Sequence, residues 1–348
     1  MQEQEAINYL MNQKFSELSL FINNVCNLNC KHCYIGSRDE EEDVSLDKWK
    51  EIINESILLG VKIIGIVGKE PLLTPNKTFD LINYIKQNFP KTIVGFVTNG
   101  TLLKEYSKII SEIPIDYIDV SVDGTEKQHD FIRGKGNFKK TLKGIKSLIN
   151  SGFPREKIFL SVTITSKTDL IEMIKLFDAE GIVNFAISPY FLLPHTSKEL
   201  IVNEINFFEE FMVECKNLHT KNKINLLVKT DYSNIQLIKY FLDKKYIDFS
   251  NLQFDKRKDI IFTEHQINNI SLYFNFLPFS TELIREIRIT SDGYVLRCLD
   301  QGYADYRIRS IGNIKNNSLK EILDKSESKE FVKQKIYENL RDIKKVFC

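Results

Sequence analysis

The chain has 348 residues, of which 43% are hydrophobic, and its 48 basic and 47 acidic side chains leave a net charge of +1. This length suits one large domain, or one domain with a smaller companion, around a sizeable core. The balanced charge gives no argument for nucleic acid or an anionic membrane as a partner. No apolar run is long enough to span a membrane, and the N-terminus lacks the regions of a signal peptide, so a cytoplasmic protein is predicted.

Strand-like and helix-like segments alternate from about residue 19 to residue 190. The strand candidates are short and rich in Ile, Val and Phe, and they lie at 19–24, 61–67, 92–97, 116–122, 157–164 and 183–188. The helix candidates have apolar residues at helical spacing, and they lie at 45–59, 77–88, 102–111, 137–150 and 168–180. Ser45 is a plausible N-cap of the first helix. Six βα units predict an α/β protein with a parallel sheet and right-handed crossovers, a partial (β/α)6 TIM-like barrel that is closed or nearly closed.

The pattern changes after the predicted barrel. Residues 197–222 favour a further amphipathic helix, whereas 223–283 are irregular and rich in aromatic residues. Residues 286–298 alternate around Asp292-Gly293, a favoured tight-turn pair, and predict a hairpin; residues 318–340 return to a helical pattern. The predicted organisation is an N-terminal extension (1–18), the barrel (19–196), a helical and irregular connecting region (197–285) and a smaller C-terminal α+β region (286–348).

Three cysteines, Cys26, Cys30 and Cys33, follow the first predicted strand within eight residues. In a cytosolic protein such a group more often binds metal than forms disulfides. Cysteine thiolates at close spacing hold iron–sulfur clusters, and three thiolates leave one iron of a four-iron cubane without a protein ligand. That open iron would be a reactive position. The alternative is a zinc site with His32 as the fourth ligand.

Polar residues concentrate directly after the other predicted strands. They occupy 68–71 (GKEP), 98–100 (TNG) and 121–124 (SVDG). In βα barrels the site lies at the C-terminal ends of the strands. These segments and the cysteine loop are therefore expected to face one cavity.

These motifs together resemble a known family. CNLNCKHCY resembles the CxxxCxxC-aromatic signature of the radical S-adenosylmethionine (SAM) enzymes, and GKEPLL resembles their GGEP segment. TNG, SVDG and HDFIRGKGNF look like the matching motifs of the branch that matures sulfatases and modifies peptides. ITSDGYVLRC followed by IGNIKNNSLKEIL is similar to the start of the SPASM domain of that branch. The resemblance covers roughly residues 19–190 and 286–325.

The resemblance implies one 4Fe–4S cluster bound by Cys26, Cys30 and Cys33, with SAM chelated by the open iron. In this family an electron from the reduced cluster cleaves SAM, and the resulting 5′-deoxyadenosyl radical abstracts a hydrogen atom from a substrate. A reducing partner such as flavodoxin or ferredoxin is implied. The implied SAM contacts are Tyr34 at the adenine, Gly68 and Glu70 at the ammonium, Ser121 and Asp123 near the ribose or methionine moiety, Arg133 at the carboxylate, and Asn99 and Thr163 at the cavity rim.

The chain departs from the family pattern at two places. Lys69 replaces the second glycine of GGEP and adds bulk and charge beside the expected SAM site. In the C-terminal region Cys298 matches the first SPASM cysteine, but Asn317 occupies the next cysteine position and Cys348 stands alone. A degenerate or truncated SPASM-like region without an auxiliary cluster is therefore expected. Cys215 lies on an apolar helical face and is expected to be a buried, inert thiol.

Three function hypotheses follow. The leading one is a radical SAM enzyme that abstracts hydrogen from a peptide or protein side chain in natural-product peptide maturation. The second keeps the chemistry but gives it a small-molecule substrate, such as an aminoglycoside, a nucleoside or an amino acid. The third is a non-catalytic protein that binds a cluster or SAM. His129, in the HDFIRG segment, is expected to fix its loop rather than to perform acid–base chemistry.

Overall fold

The computed structural model describes residues 16–36, 43–229, 235–248, 253–255, 260–275, 286–296 and 306–325. Cys298, Cys348, the extension before residue 16 and most of the predicted helix over 318–340 lie outside these ranges. Within them, no helix has both the length and the apolar character that crossing a bilayer would require.

One sheet organises the described residues. Its strands are β1 (Glu17–Phe21), β2 (Ile63–Val67), β3 (Ile93–Thr98), β4 (Tyr117–Ser121), β5 (Ile158–Thr163), β6 (Asn184–Ser188), β7 (Ile224–Val228), β8 (Gln253–Asp255), β9 (Ile260–Ile267), β10 (Ile270–Asn275), β11 (Glu286–Ile289), β12 (Tyr294–Leu296) and β13 (Gly312–Asn313). The first six confirm the predicted barrel strands. Their order in the sheet is β13-β12-β11-β1-β2-β3-β4-β5-β6-β7-β10-β9-β8.

The centre of this sheet is parallel. Strands β1 to β7 pair in chain order, with β11 parallel to β1 and β10 parallel to β7. Antiparallel hairpins finish both edges: β11 with β12, and β10 with β9. The α/β class and the partial barrel are confirmed, and so is the hairpin around Asp292-Gly293. Within the described residues the two ends of the strand order do not pair, so the barrel that they form is open.

Helices cover the outer face of the sheet. They are α1 (Leu46–Leu58), α2 (Pro75–Asn88), α3 (Leu103–Glu112), α4 (Glu126–Arg133), α5 (Asn137–Asn150), α6 (Leu170–Ala179), α7 (Glu204–Cys215), α8 (Ile235–Asp243), α9 (Tyr306–Arg309) and α10 (Leu319–Asp324). Ser45 caps α1 as predicted, since its Oγ accepts from Lys48 N at 3.2 Å. Ser318 forms a capping box with Glu321 at the start of α10. The helix-facing strand positions, such as Leu20, Ile64 and Phe96, are fully buried.

The inner face of the barrel is more polar and partly filled. Gly65 and Gly95 leave space on β2 and β3, and the ring of Tyr117 on β4 fills it. A Cβ at Gly95 would lie 2.5 Å from that ring. Lys229, directly after β7, lowers the pKa of Glu286 on β11 electrostatically. These residues come from strands on opposite sides of the parallel sheet, so the sheet must curve to bring them together.

Two predictions about elements were wrong. Residues 223–283, read as irregular, contain β7, α8 and the β9–β10 hairpin; their aromatic residues pack in the core, as Phe241 against Phe274 at 4.8 Å between ring centroids. The helix predicted over 197–222 is confirmed only between Glu204 and Cys215. In addition, HDFIRG lies on the short helix α4, which its polar composition concealed.

Candidate functional site

The cysteine loop follows β1 and is anchored to the loop that follows β2 and to the last turn of α4. Asn23 donates from Nδ2 to the Glu70 carbonyl at 2.9 Å, and Glu70 N donates to the Val25 carbonyl at 2.9 Å. Lys31 N donates to the Ile132 carbonyl at 2.9 Å. The backbone of the loop is therefore fixed by its neighbours rather than by its own sequence.

The three thiols of this loop are free and half-buried. Cys33 N donates to the Cys30 carbonyl at 3.1 Å, which folds the second half of the loop into a tight turn. Burial raises the pKa of Cys26, and it raises the pKa of Cys30 to about 11 against the lowering effect of Arg133. An iron–sulfur cluster takes cysteine as thiolate, so these cysteines must lose their protons on binding it.

The described residues do not contain three His, Cys, Asp or Glu side chains close enough to bind a single metal ion. A mononuclear zinc site draws its ligands around one ion. Each thiolate of a four-iron cluster binds a different iron, so the sulfurs stand farther apart. Three free thiols in one fixed loop match the three protein ligands that a four-iron cluster with one open iron would need.

Glu70 links the loops after β2 and β3. Its carboxylate is fully buried and accepts from Leu72 N at 3.0 Å, Thr98 Oγ1 at 2.8 Å and Asn99 N at 2.8 Å. Burial raises its pKa, although these three donors oppose the rise. The Glu70 carboxylate thus forms its hydrogen bonds within the protein, and these bonds hold the segments that follow β2 and β3 together.

Asn99 extends this link to the cysteine loop. Its Nδ2 donates to Asn27 Oδ1 at 2.8 Å and lies 3.9 Å from Cys26 Sγ. Its Oδ1 accepts from Thr101 N and Oγ1. The predicted rim residue is therefore buried beneath the cysteine loop, beside one of the thiols.

Asp123, Arg133 and His32 form a buried group on the other side of the loop. Asp123 Oδ2 accepts from Arg133 Nε and lies 2.9 Å from His32 Nε2, while Asp123 Oδ1 accepts from Thr163 N at 3.1 Å. Arg133 Nη2 lies 3.2 Å from His32 Nε2. The group joins the ends of β4 and β5, helix α4 and the cysteine loop.

The electrostatics favour the ionised forms of Asp123 and Arg133. Burial alone would raise the pKa of Asp123, but Arg133 and His32 hold it well below its usual range. Burial opposes the charge of Arg133, yet Asp123 and then Cys30 raise its pKa above the usual value. A charged guanidinium therefore faces the cysteine thiols, where an anionic ligand would gain most.

The remaining predicted residues lie near the C-terminal ends of the strands or in the loops that follow them. Gly68 is buried, and a Cβ there would lie 2.8 Å from Asn23 Oδ1, so only glycine fits without moving Asn23. Lys69 is half-buried and lowers the pKa of Cys26 electrostatically. Ser121 and Thr163 belong to the inner face near the tops of β4 and β5. Tyr34 is half-buried directly after Cys33.

Two histidines of the site were missed by sequence reasoning. His32 was considered only as a zinc ligand, and its side chain instead meets Asp123 and Arg133. His195 had no recognisable spacing, yet its Nε2 lies 3.0 Å from the Cys33 carbonyl. The position of His32 between Cys30 and Cys33 was the only sequence signal, and the His195 contact spans 162 positions of the chain.

His129 fixes the Asp123 loop, as its placement in HDFIRG suggested. Its side chain is fully buried, and Nδ1 accepts from Asp123 N at 3.4 Å. Burial, assisted by Arg133, lowers the pKa of His129 to about 4. In the unfolded chain His129 is protonated below about pH 6.5, whereas in the folded protein it stays neutral down to about pH 4. The free energy of unfolding therefore falls as the pH drops from about 6.5 to about 4.

We expect His129 to make folding of the apoprotein acid-sensitive. Between pH 7.5 and pH 5 the free energy of unfolding should fall by about 2 kcal/mol more in the wild type than in His129→Gln, which keeps an acceptor for Asp123 N. Urea titrations at several pH values measure this difference. His219→Gln, at an exposed histidine, is the matched control and should keep the wild-type pH profile. Identical profiles for wild type and His129→Gln would contradict the assignment.

Two family models match the chain. The model of the radical SAM superfamily matches residues 20–189, and the SPASM model, described as an iron–sulfur cluster-binding domain, matches residues 282–343. The first match spans the barrel and every predicted site residue. The second contains Cys298 and ends before Cys348.

Several curated proteins match part of the chain. A probable GTP 3′,8-cyclase of Methanococcus maripaludis is 35% identical over 144 residues, which are 40% of this chain and 48% of that protein. The pre-heme d1 synthase of Dinoroseobacter shibae is 32% identical over 170 residues, which are 47% of this chain and 40% of that protein. The matches thus span less than half the length of these relatives.

Solved structures resemble the chain over most of its length. SuiB of Streptococcus suis, bound to its precursor peptide SuiA, gives a TM-score of 0.69 at 15% identity and covers 92% of this chain and 67% of that one. The anSMEcpe protein with bound AdoMet gives 0.61 at 17% identity and covers 93% and 81%. At these identities the likeness shows the fold. With both family models matched, the chain belongs to the radical SAM superfamily, whose cofactors are a 4Fe–4S cluster and SAM, and carries a C-terminal SPASM domain.

Proposed function

We propose that this protein is a radical SAM enzyme that cleaves SAM at a cluster bound by Cys26, Cys30 and Cys33 and removes a hydrogen atom from a peptide or protein side chain. The observation that carries the proposal is the loop of three free thiols, fixed between the Glu70 loop and the charged Arg133. When bound, the cluster and SAM supply the radical that attacks the substrate C–H bond.

Arg133 is the proposed partner of the SAM carboxylate. A guanidinium has five N–H donors in a fixed plane. Nε donates to Asp123 and Nη2 lies 3.2 Å from His32 Nε2, so other N–H donors of the guanidinium remain for a further carboxylate. Asp123 keeps this guanidinium oriented and charged, while its own negative charge is balanced by Arg133 and His32.

Glu70 is proposed to act on the SAM ammonium through the backbone that it positions. Its carboxylate already accepts three internal hydrogen bonds, so it has little capacity left for a ligand. The backbone around Gly68 lies against Asn23 and the cysteine loop. Tyr34, Asn99, Ser121 and Thr163 stay proposed contacts around the rest of SAM.

A peptide substrate is supported by the fold and by the SPASM match. Among the structures that this chain resembles, SuiB is bound to a precursor peptide and anSMEcpe was solved with bound peptides. An enclosing barrel with an open side can admit a side chain from an extended peptide. A flavodoxin or ferredoxin is the proposed electron donor.

The test is anaerobic reconstitution with iron and sulfide, followed by SAM and dithionite. The wild type should release 5′-deoxyadenosine, measured by chromatography, whereas Cys30→Ala should release none above background. Cys215→Ala, at a thiol buried in the α7 core, is the matched control and should behave as the wild type. Equal release by Cys30→Ala and wild type would reject the proposed cluster. No release from the wild type would favour the non-catalytic alternative.

A small-molecule substrate is the second candidate. It is favoured by the names of the sequence relatives, which include a GTP cyclase and heme-synthesis enzymes. Incubation with deuterium-labelled peptide and metabolite pools separates the two candidates. Deuterium should enter 5′-deoxyadenosine from the peptide pool if the substrate is a peptide. It should enter from the metabolite pool if the substrate is a small molecule.

A further inference from the structure

The inner face of the barrel carries charged side chains deeper than the proposed cofactor contacts. Asp119 lies on β4, on the same face as Ser121 and two residues nearer the N-terminal end of the strand. It hydrogen-bonds Ser161, an inner-face residue of the neighbouring strand β5. Asp119 is outside the motifs that the cofactor chemistry uses.

One oxygen of Asp119 is unsatisfied. Oδ1 is buried and has no hydrogen-bond partner among the residues that the structure describes. Leaving a buried polar group without a partner costs about 1–3 kcal/mol. A folded protein rarely keeps such a group unless a ligand, ion or water completes it.

Glu286, another carboxylate of the inner face, has its hydrogen-bond partners within the protein. Glu286 accepts from Ser19 Oγ at 2.7 Å and forms a two-point pair with Arg288, at 2.7 Å from Nε and 3.0 Å from Nη2. The guanidinium of Arg288 thus already faces a carboxylate. Asp119 differs from Glu286 because no cation among the described residues hydrogen-bonds to it or forms an ion pair with it.

Carboxylates lie near the floor of this space, which Tyr117 forms. Burial raises the pKa of Tyr117, and the carboxylates of Glu17, Asp119 and Glu286 raise it further. The exposed Lys229 acts on Asp119 in the opposite direction to burial. It lowers the pKa of Asp119 electrostatically, without a hydrogen bond between the two side chains. Burial is nevertheless the dominant effect, and the pKa of Asp119 stays raised.

We propose that Asp119 is the recognition group of a substrate subsite inside the barrel, and that this subsite binds a primary amine or guanidinium group of the substrate. The inference rests on the proposed function and names the class of chemical group that its cavity admits. A cationic N–H donor supplies both the missing hydrogen bond to Oδ1 and the missing counter-charge. A neutral donor would supply the hydrogen bond but not the counter-charge, and an anion would supply neither the hydrogen bond nor the counter-charge.

Tyr117 limits how far such a group enters. Its ring occupies the space above Gly95, and its hydroxyl lies near Gly65 and Ser19. Asp119 follows Tyr117 by two residues on the same face, directly above this floor. The substrate group therefore reaches Asp119 as a terminal group at the end of a chain.

The test uses two probes, Nα-acetyl-lysine methylamide and Nα-acetyl-norleucine methylamide, which differ in the terminal ammonium. Their dissociation constants are measured by equilibrium dialysis on anaerobically reconstituted protein with SAM and without reductant. The wild type should bind the lysine probe at least about tenfold more tightly than the norleucine probe, as expected for one charged hydrogen bond. Asp119→Asn should abolish this preference by weakening only the lysine probe.

Two further variants sharpen the result. Asp80→Asn removes an equivalent charge from the exposed face of α2 and should keep the wild-type preference. Lys229→Met should tighten the lysine probe, because it removes the cation that competes for Asp119. Equal affinities for both probes in the wild type, or a preference that survives in Asp119→Asn, would overturn the proposal. Release of 5′-deoxyadenosine by the same wild-type preparation after reduction tests the proposed function separately.

Discussion

Asp123→Asn is expected to lower the free energy of unfolding of the apoprotein by about 3–5 kcal/mol, the usual cost of removing one partner of a buried ion pair. The side chain of Asp123 is fully buried and that of Arg133 is 10% exposed, so water cannot replace the lost charge. The substitution also leaves one acceptor oxygen where Asp123 uses two, one toward Thr163 N and one toward Arg133 and His32. Urea denaturation at neutral pH measures the change.

Two controls identify the cause of this loss. Glu126→Gln breaks the exposed Glu126–Lys139 pair and should cost no more than about 1 kcal/mol. The double variant Asp123→Asn/Arg133→Met removes both charges and should be more stable than Asp123→Asn alone. A loss below about 1 kcal/mol in Asp123→Asn, or a double variant that is less stable still, would refute the buried-pair account.

Replacing any one of Cys26, Cys30 and Cys33 by alanine should remove most of the iron from the reconstituted protein. The wild type should hold about four iron and four sulfide ions per chain, the content of one cubane. Each alanine variant keeps only two of the three thiolate ligands, so its cluster should not survive desalting. Colorimetric assays measure the iron and sulfide content per chain, and the absorbance of the sulfur-to-iron charge-transfer band measures the amount of intact cluster.

The control for this experiment is again Cys215→Ala. Burial raises the pKa of Cys215 to about 12, and its thiol lies in the apolar core on α7, so its iron content should equal that of the wild type. About eight iron ions per wild-type chain would contradict the expectation of a single cluster and would give Cys298 and Cys348 a role in the SPASM domain. Iron retained equally by all three alanine variants would exclude the loop as the cluster site.

The barrel was predictable because its signals are local. Short β-branched runs alternate with helices that carry recognisable caps, such as Ser45 at α1, and each motif follows a strand. The chain order of the strands is also their order in the sheet from β1 to β7, so sequence proximity became spatial proximity. The cysteine loop and GKEP therefore meet where the pattern predicted.

The contacts between loops were not predictable. Glu70 was expected to face the cofactor, but its carboxylate is satisfied by Thr98, Asn99 and Leu72, two of which come from another loop. Arg133 was expected at the SAM carboxylate, and its buried salt bridge with Asp123 was not foreseen. Asp119 carried no motif, since an inward carboxylate is distinguished only by what surrounds it.

The edges of the sheet were predicted least well, apart from the hairpin around Asp292-Gly293. Strand β10 pairs with β7 in parallel, but the strand that precedes it in the chain is its antiparallel partner β9. The alternation of strands and helices therefore ends at β7, although the sheet extends further. Similarly, β11 joins β1 across most of the chain, pairing Glu17 with Glu286. Such long-range pairings leave little periodic signal in one sequence.

The central claim is that SAM binds the open iron of a cluster held by Cys26, Cys30 and Cys33. Electron–nuclear double resonance of the reduced, reconstituted protein tests it directly, with SAM labelled by ¹⁵N in its amino group and ¹⁷O in its carboxylate. The account predicts hyperfine coupling of both labels to the cluster, with no such signal from Cys30→Ala. A reduced wild-type cluster whose spectrum is unchanged by SAM and shows neither coupling would contradict it.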